Sequence, residues 1–253
     1  MAVIWNPSIR KSVDIPMPNM INNQQYMTHV RFGVRPDTLD PMIVLMRFNW
    51  DYLYSVDTVP WLVEVFTLSS RTWRRALCSS SNVLHGHGIL FHDKSQVVIG
   101  RYIYWLGIYD VDKTVFSFDM VTEECTRVIL PDCIKWVDPL GLSVTSISKL
   151  RDSLIVIDSN DGEDIEVWVM EPGVARSFTK LYNFKTPDVM HTFLGFRNNG
   201  AAIIEIQILD DGYDNKGSVV VYDRHLEHFN PIGLCGLGWS FEAHFYKETL
   251  LLL

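Results

Sequence analysis

An all-β propeller is what this sequence predicts, and three observations predict it. The same hairpin grammar recurs five times along 253 residues. Helical periodicity is nearly absent: no stretch keeps apolar residues at i, i+3, i+4 and i+7 over three turns with caps at both ends. Hydrophobic residues make up 47% and aromatics 12% of the chain, enough apolar and flat-ringed material for one large β core.

The five hairpins are AVIWNPSIRKSVDI, VEVFTLSSRTWRRA, VFSFDMVTEECTRV, IEVWVMEPGVARSFTKL and VVVYDRHLEHFNPI. Each opens on an apolar strand that reaches an aromatic anchor: Trp5, Phe66, Phe118, Trp168 and Tyr222. A short polar turn follows, and then a second strand. In four of the five, the residue seven after the anchor falls on that second strand: Ser12, Trp73, Cys125 and Phe229. In the fourth hairpin a longer turn over 171–176 delays the restart to Ser177 and Phe178. The anchors are 61, 52, 50 and 54 residues apart. A period near fifty built from short strands is the signature of kelch-like blades, each a small antiparallel sheet. The anchors are expected in the core, between neighbouring blades.

Two further strands per unit complete the blades. They are expected at 30–34 and 42–49, 88–91 and 96–106, 142–147 and 153–158, and 192–197 and 201–209. The chain is thus read as one domain, with repeats at roughly 1–16, 28–78, 86–131, 140–184 and 191–233 and a closing strand over 239–253. Only the third and fourth strands of the first unit are present. The expected architecture is an incomplete, kelch-like propeller of about five four-stranded repeats. Closing such a ring removes sheet edges. The absent first strands therefore predict an open gap, or an improvised pairing of 1–10 with 243–253.

Composition excludes several classes. A net charge of −8 and a pI near 5.4 argue against nucleic acid, whose binding rests on phosphate neutralisation by Lys and Arg. Cys78, Cys125, Cys133 and Cys235 form no CxxC pair, so neither a disulfide framework nor a zinc site is expected. The residues MAVIWNPSIRK lack the apolar stretch of a signal peptide, and no run of about 18 apolar residues predicts a membrane span. Cytoplasm, nucleus or both are the expected location.

Read in order, the motifs resemble those of the plant F-box-associated domain. IWNPSIRK at 4–11 looks like that family's WNP-S-x-R signature, and VEVFTLSSRTWRR at 63–75 resembles its strand–turn–Trp hairpin. GRYIYWLG (100–107), SFDMVTEE (117–124), IEVWVM (165–170), SFTKLY (177–182), LGFRNNG (194–200) and VVVYD (219–223) follow in the family's order. The resemblance implies a substrate-capturing domain of SCF-type cullin–RING ubiquitin ligases. In that layout an F-box segment ahead of the domain docks the adaptor subunit. This chain departs from the pattern: Met1 stands four residues before Trp5, with no F-box between, so adaptor docking is expected only if an upstream F-box exists. A smaller departure lies after Phe32-Gly33, where Val34-Arg35 stands in place of the family's usual Tyr-Asp.

The candidate site comes from charge placement. The connections between second and third strands, at 51–60, 108–113, 158–164 and 210–216, hold eleven acids and two bases, Lys113 and Lys216. Their net −9 compares with −8 for the whole chain. In a propeller these connections share one face. Bases crowd the opposite turns and outer strands: Arg10, Lys11, Arg71, Arg74, Arg75, Arg127, Arg176, Lys180 and Arg224. A polarised domain of this kind steers a basic partner toward its acidic face. Asp and Gly also serve simply as good turn formers. The predicted partner-binding residues are Asp57, Trp61, Tyr109, Asp110, Asp112, Asp161, Asp164, Asp211, Tyr213 and Asp214, with Tyr54 as a further aromatic anchor.

No catalytic, cofactor or metal site is expected. His85, His87 and His92 lack a supporting carboxylate or Cys cluster beyond Asp93. The run from Asp158 resembles a calcium loop but has Glu163 where glycine is needed. Gly233, Gly236 and Gly238 have the wrong spacing for a dinucleotide site. Two alternatives to ligase substrate recognition are a kelch-like scaffold outside ubiquitin chemistry and, more remotely, a propeller glycosidase.

Overall fold

The computed structural model describes residues 1–18, 26–49, 62–76, 91–109, 112–135, 144–160, 164–170, 177–186, 191–208, 216–224, 226–238 and 240–243. Their regular structure is entirely strand, and no helix among them is long and apolar enough to cross a membrane. A hairpin of β1 (Ala2–Asn6) and β2 (Lys11–Ile15) comes first. Four sheets of four antiparallel strands follow, each in simple sequential order. The first holds β3 (Tyr26–Val34), β4 (Pro41–Asn49), β5 (Leu62–Thr67) and β6 (Thr72–Arg75). The second holds β7 (Phe91–Ile99), β8 (Tyr102–Tyr109), β9 (Asp112–Asp119) and β10 (Cys125–Ile129). The third holds β11 (Val144–Leu150), β12 (Ser153–Asn160), β13 (Asp164–Met170) and β14 (Phe178–Lys185). The fourth holds β15 (His191–Phe196), β16 (Ala202–Ile208), β17 (Lys216–Asp223) and β18 (His228–Leu237).

The seven-residue interval of the sequence is a cross-strand register. Trp5 lies opposite Ser12, Phe66 opposite Trp73, Phe118 opposite Cys125 and Tyr222 opposite Phe229. A fixed turn length produces this. The amide of Arg71 donates to the Thr67 carbonyl at 2.9 Å, and that of Glu123 to Asp119 at 2.7 Å. The residue five after each of these anchors then takes a left-handed conformation: Arg10, Arg71, Glu123 and Glu227, with φ of 54, 52, 58 and 49°. None of them is glycine, so each turn carries a steric cost. Replacing the exposed Arg71 with glycine is expected to raise unfolding stability by about 1 kcal/mol in urea titration. In the fourth hairpin the longer turn moves the partner of Trp168 to Lys180, beside a bulge.

Successive sheets stack face on face. The N-terminal hairpin lays Ile4 and Ile15 on Ile43 and Phe66 of the first sheet. Met42, Val44, Val63 and Val65 of the first sheet meet Ile103, Trp105, Phe116 and Phe118 of the second. Leu106, Val115 and Val128 meet Ile147, Leu154 and Val156 of the third. Ile155, Ile157, Ile165 and Phe184 meet Phe196, Ile204, Val220 and Tyr222 of the fourth. One strand thus feeds two cores, Ile103 and Trp105 pointing back and Tyr104 and Leu106 pointing forward. Alternate side chains on opposite faces make this possible. The first strands are neighbours as well: β11 packs on β7 and β15, and β3 on β7. Sheets stacked in sequence with their first strands together are the blades of a β-propeller.

Two details join the first and second blades. The Gln96 side chain imitates a strand, accepting from the Phe32 amide at 3.0 Å and donating to the Phe32 carbonyl at 2.5 Å. Gly33 stands where the blades approach closely, since a Cβ there would lie 2.5 Å from Met120 Sδ. Glycine inside a strand marks such an approach.

Three expectations need correction. Trp5 is 64% exposed, because it alternates with the buried Ile4 and faces away from the first blade. The single strand expected over 96–106 is two, divided by a turn at Gly100 (φ 57°) and Arg101, so that β7 continues to Ile99 and β8 starts at Tyr102. In the second and third blades the connections between second and third strands are shorter than expected, since β8 runs to Tyr109, β9 starts at Asp112, β12 runs to Asn160 and β13 starts at Asp164. Among the described residues β1 pairs only with β2. Most of the expected closing segment, 244–253, lies outside the described residues.

Candidate functional site

The strands that carry the acidic connections end along one edge of consecutive blades. Tyr109, the last residue of β8, lies opposite Asp112, the first of β9. Asp164, the first residue of β13, lies opposite Asn160 on one side and Lys185 on the other. Asp112 and Asp164 are therefore half-buried strand ends rather than loop residues. Tyr54, Asp57, Trp61, Asp110, Asp161, Asp211, Tyr213 and Asp214 lie outside the described residues, as do His85 and His87. His92 falls within β7.

Two charges counted toward that acidic face are internal. Asp158, fully buried in β12, receives the Lys113 ammonium of β9 at 3.1 Å. The Thr145 hydroxyl of β11 donates to the same oxygen, Oδ1. The backbone amide of Lys113 donates to the Lys135 carbonyl at 2.5 Å. The cluster clamps the second blade to the third just beneath the acidic edge. A buried pair is neutral, so removing it leaves the net −9 of these connections unchanged. Of the run that resembles a calcium loop, Asp158 to Asn160 belong to β12. Among the described residues no group of three His, Cys, Asp or Glu could hold a metal ion.

On the opposite face one ion pair and one cation–π contact join neighbouring blades. Arg74 on β6 bridges to Glu123 in the turn after β9, with its Nη1 at 2.6 Å from Oε2. The Glu123 carboxylate raises the Arg74 pKa in turn. Arg224 lies 4.7 Å over the Tyr182 ring, linking the fourth blade to the third. Burial pushes the Tyr182 phenol up to about 12, and Arg224 only partly opposes it. Lys180 pairs with Glu166 at 2.6 Å, whose other oxygen accepts from Trp168 Nε1 at 3.1 Å. Three of the bases assigned to this face, Arg74, Lys180 and Arg224, are thus engaged within the domain.

Asp119 is the most connected acid there. Its Oδ1 accepts from Val121 N at 2.8 Å, Thr122 N at 3.1 Å and Arg101 Nε at 2.8 Å. Burial works against its ionisation, but Arg101 and the two amides outweigh it and hold the carboxyl below the usual range. A depressed folded pKa contributes stability above the unfolded value, about 3.9, and that contribution is lost as pH falls through the folded value. Asp119→Asn is therefore expected to lower the urea midpoint at pH 7 and to flatten its decline as the pH falls below about 4.

No family model matches this chain, and no curated protein matches it. Solved structures do, at low identity. The SapL1 lectin in complex with α-methyl fucoside gives a TM-score of 0.46 at 15% identity, covering 83% of this chain and 64% of the lectin. The fungal Aleuria aurantia lectin, a six-bladed β-propeller, gives 0.46 at 13% identity, covering 84% and 64%. NanB sialidase from Streptococcus pneumoniae gives 0.38 at 10% identity, covering 90% of this chain and 38% of the sialidase. The chain thus spans under two thirds of the length of these lectins.

Proposed function

We propose that this propeller captures a protein substrate for an SCF-type cullin–RING ubiquitin ligase, through the face that carries its acidic connections and without turnover of its own. Its setting is the cytoplasm or nucleus. One observation carries the reading: four blades in sequential order bring connections of net −9 to one edge, over a scaffold clamped from blade to blade. The eight motifs shared in order with the F-box-associated domain supply the ligase assignment. The WNPS motif also has a structural use that suits the resemblance, since the buried Asn6 side chain accepts the Ser8 amide at 3.0 Å and starts the first turn. We further read the propeller as kelch-like. The β1–β2 hairpin shares the register of the outer strands of three complete blades, and so stands as the outer half of a fifth.

Two measurements test this. Reversing Asp161, Asp164, Asp211 and Asp214 together should strongly weaken capture of basic proteins at low salt. Fusing an F-box segment ahead of the domain should bring the adaptor subunit into the same complex, together with ubiquitinated partners. Unchanged capture in the first experiment overturns the acidic-face reading. Adaptor binding without any ubiquitinated partner in the second overturns the ligase reading.

A further inference from the structure

Each complete blade turns from its first strand to its second past an arginine. Arg35 follows β3, Arg101 lies in the turn after β7, Arg151 follows β11 and Arg197 follows β15. Because the first strands pack together, these four turns share the inner rim of the face opposite the acidic edge. Two of the guanidiniums are engaged internally, Arg35 by Asp37 at 2.9 Å and Arg101 by Asp119 at 2.6 Å. Arg151 and Arg197 are exposed and have no ionic partner among the described residues. Asp152, the acid beside Arg151, pairs instead with Lys149 at 3.4 Å.

The two turns that carry these arginines adjoin. A Cβ on Gly200 would lie 4.0 Å from Leu150 Cδ1. An open cavity lined by Phe196, Arg197, Asn198 and Asn199 lies at this corner. Asn199 uses its Oδ1 on the Ala201 amide at 3.1 Å, which leaves its NH2 donors for a ligand. Two exposed arginines and two exposed asparagines therefore lie on adjoining turns where the third and fourth blades meet.

We propose that this corner docks an acidic segment of a protein partner. A guanidinium presents a planar fork that takes a carboxylate in two parallel hydrogen bonds. The domain as a whole, at net −8, repels an extended polyanion, which favours a short segment with its carboxylates gathered over Arg151 and Arg197. With the opposite edge acidic, such a partner is also oriented as it approaches. The inference concerns a different face from the function proposed above and rests on it only in taking a protein as partner.

The probe is fluorescein-labelled hexaglutamate, titrated with the full chain at about 50 mM salt and followed by anisotropy. R151E/R197E should weaken binding about tenfold or more, while K11E/R71E, with the same change in net charge, should leave it within about twofold. Circular dichroism melts confirm that both variants fold, and R151Q/R197Q repeats the loss without added negative charge. Three results would overturn the proposal: no saturable binding to the wild-type chain, equal losses in the two charge-reversed variants, or an oligonucleotide of equal charge binding at least as tightly. Hexaglutamate binding is read on this chain alone, so its failure leaves the acidic-face and adaptor measurements standing.

Discussion

Lys113→Met is expected to cost about 3–5 kcal/mol of unfolding free energy, because it strands the Asp158 carboxylate in the interior without its cation. Asp158 is fully buried and Lys113 nearly so, and the Thr145 hydroxyl alone cannot offset an isolated carboxylate there. The double variant Lys113→Met/Asp158→Leu should recover most of that loss, since an apolar pair of similar volume is often as stable as a buried ion pair. Urea unfolding of both variants and the wild type decides the matter. A single variant no less stable than the double would show that the ion pair is not what holds the second and third blades together.

Trp105→Ala should cost a similar amount, about 3–5 kcal/mol, by opening a large cavity between the first and second blades. The indole is fully buried and stacks on Phe116, ring centroids 5.8 Å apart at 16°. Met42, Met46 and Met120 line the same core, and their flexible chains can lean into the space, which favours the lower half of that range. Trp5→Ala is the natural control. Its ring is largely in solvent, so the change should stay within about 0.5 kcal/mol. Thermal melts of the two tryptophan variants against the wild type test both expectations.

That contrast also marks how far the sequence could be read. Anchor and partner seven residues apart, as in Phe66 and Trp73, were legible because a hairpin of fixed turn length ties spacing to register. Burial was not, because it depends on what lies beyond the sheet. Trp5 and Phe118 occupy the same place in their hairpins, yet one faces away from the first blade and the other is enclosed between two. The turn at Gly100 and Arg101 was missed because the blades bury both faces. Between Val97 and Leu106 only Gly100 and Arg101 interrupt the apolar residues, too brief a break to separate two strands by hydrophobicity alone. The Lys113–Asp158 clamp was invisible for another reason. Its members are 45 residues apart in different blades, and each reads as an ordinary polar residue of a turn. Of the predicted site, Tyr109, Asp112 and Asp164 fall within the described residues and belong to strand ends. The arginines at Arg151 and Arg197 went unnoticed because their common position emerges only once four first strands are lined up.

Each core in this molecule joins one sheet to the next in line, and a strand such as β8 serves the core behind it and the core ahead. The blades therefore behave as links in a chain rather than as pieces of an undivided interior. Thermal breathing can open a single seam between two neighbours while the remaining seams stay shut. Amide exchange should accordingly be graded from seam to seam, slowest in β8, whose side chains are fastened on both sides.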